Sequence, residues 1–294
     1  MLNIMKIIFL LLLLIVNYIC IRNYLNYLKN KKKYNYTIMA IFKNEEEYME
    51  EWLIHHINNG FDKIYLYCND PDISKYSYLL KYSKYVVLID WTDKYNNLNQ
   101  TIQRQAYYHC VQTYSQDCQF LLMLDLDEFI IPLKGFKKVS DYLDSLKSNW
   151  SNIKAFKIQR YNFGSNGHIT KPIGSVVSNY KFHEKICSTY KTMANTDYID
   201  KNKLFYGVHD FNFINKNAHI YNNYFFYENW FPNSCKENLE NEIPLVINHY
   251  YAKSYDEYIK RCKLWKNGGI NPIRYRTDCE NKFKSIYSND VEGY

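Results

Sequence analysis

The chain has 294 residues, 37 Lys plus Arg against 30 Asp plus Glu, and 47% hydrophobic content, ample for a buried core and far too apolar for a disordered chain. Lys6, Arg22, Lys29, Lys31, Lys32 and Lys33 all precede the first acidic residue, Glu45, and without these six the remainder holds 31 basic against 30 acidic residues. No long-range positive field is left to steer the body onto nucleic acid.

At the N-terminus, residues 7–21 (IIFLLLLLIVNYICI) form an apolar run that, with Ile4 and Met5, approaches the roughly 17–25 residues of a membrane span. A cleaved signal peptide would use 7–16 as its apolar stretch, but the following NYICIRN lacks the small residues of a cleavage site. An uncleaved anchor over 1–21 and a basic stem over 22–35 are therefore expected. The positive-inside rule sets Lys6 and the terminal amine against Arg22, Lys29 and Lys31 to Lys33, and taken alone keeps the body in the cytosol.

Residues 37–42 (TIMAIF) predict a strand that ends at KNEEE, and 48–57 place Met49, Trp52, Leu53 and His56 at helical spacing. Asn59-Gly60 stops that helix, 63–68 (KIYLYC) predict a second strand, and Asn69-Asp70-Pro71 breaks it. A third strand is predicted over 85–89, a helix over 101–114, and a continuous buried strand over 119–124 that runs into Asp125-Leu126-Asp127-Glu128. Further strands are predicted over 155–160 and 245–247, and a helix over 254–265. The alternation predicts an α/β fold with a mainly parallel sheet, whose ligand site lies at the carboxyl edge of the strands.

Eight cysteines occur without a CxxC pair or zinc-finger spacing, which argues against structural zinc and fits either disulfides or buried thiols. The 32 Tyr and abundant Asn follow from A- and T-rich codons, so the sequons at Asn35, Asn99 and Asn149 are allowed glycosylation sites and no more.

Asp125 and Asp127 end a hydrophobic strand, where unpaired charge is costly. A divalent ion resolves that cost, and hard oxygen ligands suit Mn or Mg, which also bridge a diphosphate. The plain alternative is a pair of strand-end carboxylates that cap a helix or pair with lysine. A DxD phosphatase is a second alternative, weakened because Phe129 stands where that motif needs Thr or Val.

Several segments taken together resemble glycosyltransferase family 92, a GT-A-type family of inverting, nucleotide-sugar-dependent enzymes. They are KNEEEYMEEWLIHHINNGFDKIYLYCND from Lys43, Gln105 and Cys110, LDLDEF from Leu124, NFGSNGH from Asn162, KTMAN from Lys191, GVHDF from Gly207, and INHYYAKSYDEYIKRCKLWKNG from Ile247. Asn195-Thr196 departs from the family pattern, which has a proline there. The resemblance implies one GT-A (Rossmann-like) domain over 36–294 and a UDP-sugar donor, galactose being the first guess, with a glycan or glycoprotein acceptor. It also implies Mn or Mg on Asp125 and Asp127, with His249 as the third metal ligand. Lys43, Asn44, Glu45 and Asp70 are expected to bind the donor, and Lys253 its diphosphate. Glu128, Glu184 and Asp210 are the candidates for the base that takes the acceptor proton. The family topology implies a catalytic body in the ER or Golgi lumen, against the charge count around the anchor. A non-catalytic carbohydrate-binding protein of the same fold is the alternative.

Overall fold

The computed structural model describes residues 13–24, 31–92, 101–184, 189–203, 207–214, 217–223, 243–267, 279–287 and 290–292. Residues 13–24 are helical (α1), with Leu13, Leu14, Ile15, Val16, Ile19 and Ile21 exposed. No helix among the described residues is long and apolar enough to cross a membrane. The rest of the expected anchor and part of the stem, residues 1–12 and 25–30, lie outside the described residues.

The first half follows the predicted alternation. It runs through β1 (Tyr34–Phe42), α2 (Glu46–Asn58), β2 (Lys63–Cys68), a 3₁₀ segment (Ile73–Tyr82), β3 (Val86–Asp90), α3 (Ile102–Tyr114) and β4 (Cys118–Met123). The strands are apolar on both faces because both faces are covered. Ile38, Ala40, Ile64 and Leu66 pack with Met49, Trp52 and Leu53 of α2, whereas Met39, Tyr65 and Tyr67 pack with Ala106, Tyr107 and Cys110 of α3. Thr101 caps α3 by accepting the Arg104 N–H through its hydroxyl, the stop-and-start chemistry expected of a helix N-terminus.

The second half is less regular: β5 (Glu128–Pro132), α4 (Val139–Ser145), β6 (Ile153–Asn162), α5 (Val176–Asn179), β7 (Phe182–Glu184), β8 (Thr189–Asn195), β9 (His219–Asn223), β10 (Leu245–His249), α6 (Tyr255–Asn267), α7 (Cys279–Tyr287) and β11 (Asp290–Glu292). The large sheet has the order β3-β2-β1-β4-β8-β6-β10-β5, with β9 beside β6, and β11 pairs separately with β7. The fold is mixed α/β. β8 and β5 run against the other strands of the large sheet, so the expectation of a mainly parallel sheet holds with two reversals. The carboxyl ends of β1, β2, β4, β6 and β10 consequently share one edge with the start of β5.

Asn195 and Thr196 are buried and satisfied: Asn195 donates to the Trp150 and Ile153 carbonyls, and Thr196 to the Cys118 carbonyl. A disulfide joins Cys262 of α6 to Cys279 of α7, while Cys68, Cys110 and Cys118 are buried free thiols.

Candidate active site

The chain reverses between β4 and β5 in a tight turn that carries the three acidic residues. The Glu128 N–H donates to the Asp125 carbonyl at 3.1 Å. The Trp52 indole N–H, reaching in from α2, donates to the Glu128 carbonyl at 2.8 Å and the Asp125 carbonyl at 3.2 Å. The Glu128 carboxylate accepts the Asp125 N–H at 2.9 Å, and the Asp127 carbonyl accepts the Tyr250 N–H at 2.8 Å. With its backbone groups bonded to fixed partners, the turn is rigid, and it sends its carboxylates to different sides.

Asp125 and Glu128 share one set of cations. Lys191 Nζ lies 2.7 Å from Asp125 Oδ2 and 3.2 Å from Glu128 Oε2, and Arg160 Nη1 lies 2.8 Å from Glu128 Oε1. The other Asp125 oxygen accepts from Gln103 at 2.9 Å and from the Tyr107 hydroxyl at 3.4 Å. Lys191 and Glu128 have 0% side-chain exposure, so each charge depends on its partners for stability. Burial alone would raise the Glu128 carboxyl, but Lys191 and Arg160 hold it below the usual carboxylate range.

Asp127 meets a different group. Arg261 Nη1 lies 3.1 Å from Oδ2, and His249 Nε2 lies 3.4 Å from Oδ1. Burial opposes its ionisation, yet His249 in its charged form, Arg261 and Lys253 together hold it well below its ordinary value. The other ring nitrogen of His249 bonds Asn162 Oδ1 at 2.6 Å, and Asn162 Nδ2 donates to Glu184 Oε2 at 3.0 Å. Lys253, buried and at φ 53°, sits 3.5 Å over the Tyr48 ring and 3.8 Å from Glu45. Burial pushes the Lys253 ammonium down and the Glu45 and Glu184 carboxyls up. A capping box sets the start of α6: the Glu257 N–H donates to Ser254 Oγ, and Glu257 Oε2 accepts the Ser254 N–H at 3.2 Å as well as the Ser254 hydroxyl at 2.6 Å. Glu257 also accepts from the Tyr48 and Tyr180 hydroxyls, docking the helix on its neighbours.

Asp125, Asp127, Glu128, His249, Glu45 and Lys253 therefore lie together at this sheet edge, and Glu184 of β7 reaches it through Asn162. The expected metal trio is not assembled as three ligands, because Asp125 is taken up by Lys191 and Gln103. Among the described residues, no group of three His, Cys, Asp or Glu side chains is placed to hold a metal. Asp127 and His249 do fit a cation as a pair, since an oxygen and a ring nitrogen face each other while the second ring nitrogen is already bonded, the usual support of a metal-binding histidine.

Among the described residues, the other expected ones make no contact with this cluster. Lys43 and Asn44 are exposed after β1. Asp70, 1% exposed, accepts the Asn44 N–H and the Tyr76 hydroxyl, both at 2.7 Å, and so braces the loops after β1 and β2. Asp210 is held by Tyr190, Thr192, Lys157 and the Phe211 N–H. Its partners Tyr190 and Thr192 flank Lys191 in β8, so strand alternation puts Asp210 on the face opposite Lys191. Lys191, Arg160, Gln103, Asn162 and Arg261 are site residues to which the sequence reading gave no role. Asn162, Lys191 and Arg261 fall within segments of the family resemblance, whereas Arg160 and Gln103 carried no local signal.

Residues 32–289 match the sequence model of the family described as Glycosyltransferase family 92. A family 92 protein of Oryza sativa subsp. japonica is 21% identical over 172 residues, 57% of this chain and 28% of that one. One of Ricinus communis is 19% identical over 173 residues, 57% of this chain and 30% of that one. The chain thus spans under a third of the length of these relatives. Among solved structures, the crystal structure of HddC from Yersinia pseudotuberculosis overlaps 55% of this chain and 74% of that one at 11% identity, with a TM-score of 0.26. That overlap is too loose to equate the folds.

Proposed function

The chain belongs to glycosyltransferase family 92, and from that premise we propose that it is an inverting, cation-dependent glycosyltransferase of GT-A type. It moves a sugar, galactose first among the candidates, from a UDP-sugar to a glycan or glycoprotein acceptor. The observation that carries this reading is the Asp127 carboxylate at the carboxyl edge of the sheet, flanked by His249, Arg261 and Lys253.

Asp127 and His249 would hold Mn or Mg, which stabilises the negative charge that develops on a leaving diphosphate. Lys253 and Arg261 stand beside that place and supply fixed positive charge to the same oxygens. Asp125 and Glu128, locked to Lys191 and Arg160, set the shape of the turn. The acceptor oxygen attacks the sugar C1 from the face opposite the diphosphate, UDP leaves, and the acceptor proton passes to a carboxylate.

Glu184 is the base in this reading. Glu128 is fully buried between Lys191 and Arg160, and Asp210 already accepts four hydrogen bonds. Glu184 is half-buried beside the Asn162–His249 pair, and burial raises its proton affinity. Lys43, Asn44 and Glu45 lie at the end of β1, where they contact the nucleoside, while Asp70 holds that loop in place. The Cys262–Cys279 disulfide supports an oxidising compartment, and so a luminal body tethered by the apolar N-terminal segment. A phosphatase would need Asp125 as nucleophile, and both its oxygens are bonded.

UDP-sugar hydrolysis by the full chain tests this, with Mn present or chelated, across a donor panel. One donor is expected to be hydrolysed only with the cation, and Asp127→Ala abolishes the reaction. Glu184→Gln is expected to bind UDP normally and to slow transfer about 10²–10⁴-fold. A folded protein that hydrolyses no donor and binds no UDP overturns the assignment.

A further inference from the structure

Asn162 ends β6 and is the register partner of His249 at the end of β10. Its Nδ2 lies 3.0 Å from Glu184 Oε2. An ionised carboxylate only accepts, so the amide is set with its nitrogen toward Glu184 and its oxygen toward His249. That oxygen lies 2.6 Å from His249 Nδ1, and because an amide oxygen also only accepts, the ring hydrogen sits on Nδ1. The backbone fixes the same geometry, since the His249 carbonyl accepts the Phe163 N–H at 2.8 Å. His249 therefore turns Nε2 to Asp127 Oδ1, 3.4 Å away.

We infer that Asn162 is a positioning residue: it holds His249 in the Nδ1–H tautomer, so that the Nε2 lone pair is presented beside Asp127. Glu184 decides which way round the amide of Asn162 sits. The group read above as the base and the pair read as the cation site are thereby joined through one side chain. The inference rests on the cation-dependent reading for its purpose, but the tautomer itself is separately measurable.

The test uses the full chain and two readouts. The first is ¹⁵N-histidine NMR without metal, at a pH where the ring is neutral. It should show the Nδ1–H form of His249 in the wild type, and a mixture or the Nε2–H form in Asn162→Leu. The second is Mn(II) affinity by electron paramagnetic resonance. Asn162→Leu is expected to weaken binding about 10–100-fold, the usual effect of removing a second-layer partner. Asn162→Asp combined with Glu184→Gln, which keeps an acceptor oxygen toward Nδ1 and restores a donor between the two side chains, should retain the Nδ1–H form and most of the affinity, a rescue that loss of packing would not give.

An Nε2–H wild-type ring overturns the inference whatever the metal does. So does an Asn162→Leu protein that binds Mn(II) like the wild type while His249→Ala does not. If the wild type shows the Nδ1–H ring but binds no Mn(II), the tautomer assignment stands and the cation-dependent reading falls.

Discussion

Asp125 and Glu128 face cations that grow from strands, whereas Asp127, between them in sequence, faces cations carried by a helix and the loop before it. Lys191 on β8 and Arg160 on β6 are fixed by sheet register, and Lys191 touches both Asp125 and Glu128. Arg261 on α6 keeps 23% side-chain exposure, and Lys253 precedes the same helix. A helix docked on a sheet can shift as a unit, while a strand cannot move without breaking its ladder. The strand-borne cations therefore suit holding the turn, and the helix-borne ones suit meeting a ligand's charge.

The sharpest way to break this contrast is to remove the strand-borne lysine. Lys191→Met leaves Glu128 buried with Arg160 alone and Asp125 without a cation. Loss of one partner from a buried ion cluster costs about 3–5 kcal/mol, so equilibrium denaturation should show a destabilisation of that order. Adding Glu128→Gln should recover part of it, because the orphaned charge is then gone. A Lys191→Met protein as stable as the wild type would mean that the cluster does not hold the turn.

The helix-borne cation should behave in the opposite way. Arg261→Ala removes one charge-assisted hydrogen bond at a half-buried site where His249 and Lys253 still face Asp127, so its cost to stability should stay below that of Lys191→Met, at about 1.5–3 kcal/mol or less. Its effect belongs in ligand binding. The KM for the UDP-sugar should rise about 10–100-fold, consistent with the roughly 1.5–3 kcal/mol of a hydrogen bond to a charged group. A large loss of stability with unchanged KM would place Arg261 with Lys191 and erase the distinction between the two sides.

The side of the turn that sequence reasoning found is the one with local signals. β1, β2, β4, α2 and α3 were legible because continuous apolar runs and 3.6-residue spacing report burial on both sheet faces. The strand ends then placed Glu45, Asp70 and the acidic turn on one edge. β8 was missed because TYKTMAN puts Lys191, Thr192 and Asn195 in the interior, and polar residues hide a strand when their partners lie far along the chain. Lys191 meets Asp125 and Glu128, more than sixty residues away. Glu128 follows the strand predicted over 119–124, and nothing in the sequence reading marked it as the first residue of β5. Asp210 and Glu184 were indistinguishable as bases, since nothing in their spacing states which face of the sheet each one meets.

The smallest expected effect concerns how α6 is held, on which the contrast depends. Glu257 caps α6 through Ser254 and accepts from Tyr48 of α2, so it joins the helix carrying Arg261 to the body. Burial pushes its carboxyl up, but the Ser254 and Tyr48 hydrogen bonds and the Lys253 charge outweigh that and hold it below its ordinary value. A depressed carboxyl contributes stability that is present above its unfolded pKa, about 4.3, and is lost as pH falls through the folded value. Denaturation between pH 6 and pH 3, taken as a range on the order of the carboxylate titration, should show stability falling at the acid end. In Glu257→Gln that fall should be shallower, and the loss at neutral pH should be about 1 kcal/mol, the usual worth of a cap. Because protonation loosens α6 without touching Lys191, the KM for the donor should rise in acid before the fold is lost. An unfolding transition that precedes any change in KM would show that α6 and the strand-borne cluster melt as one unit.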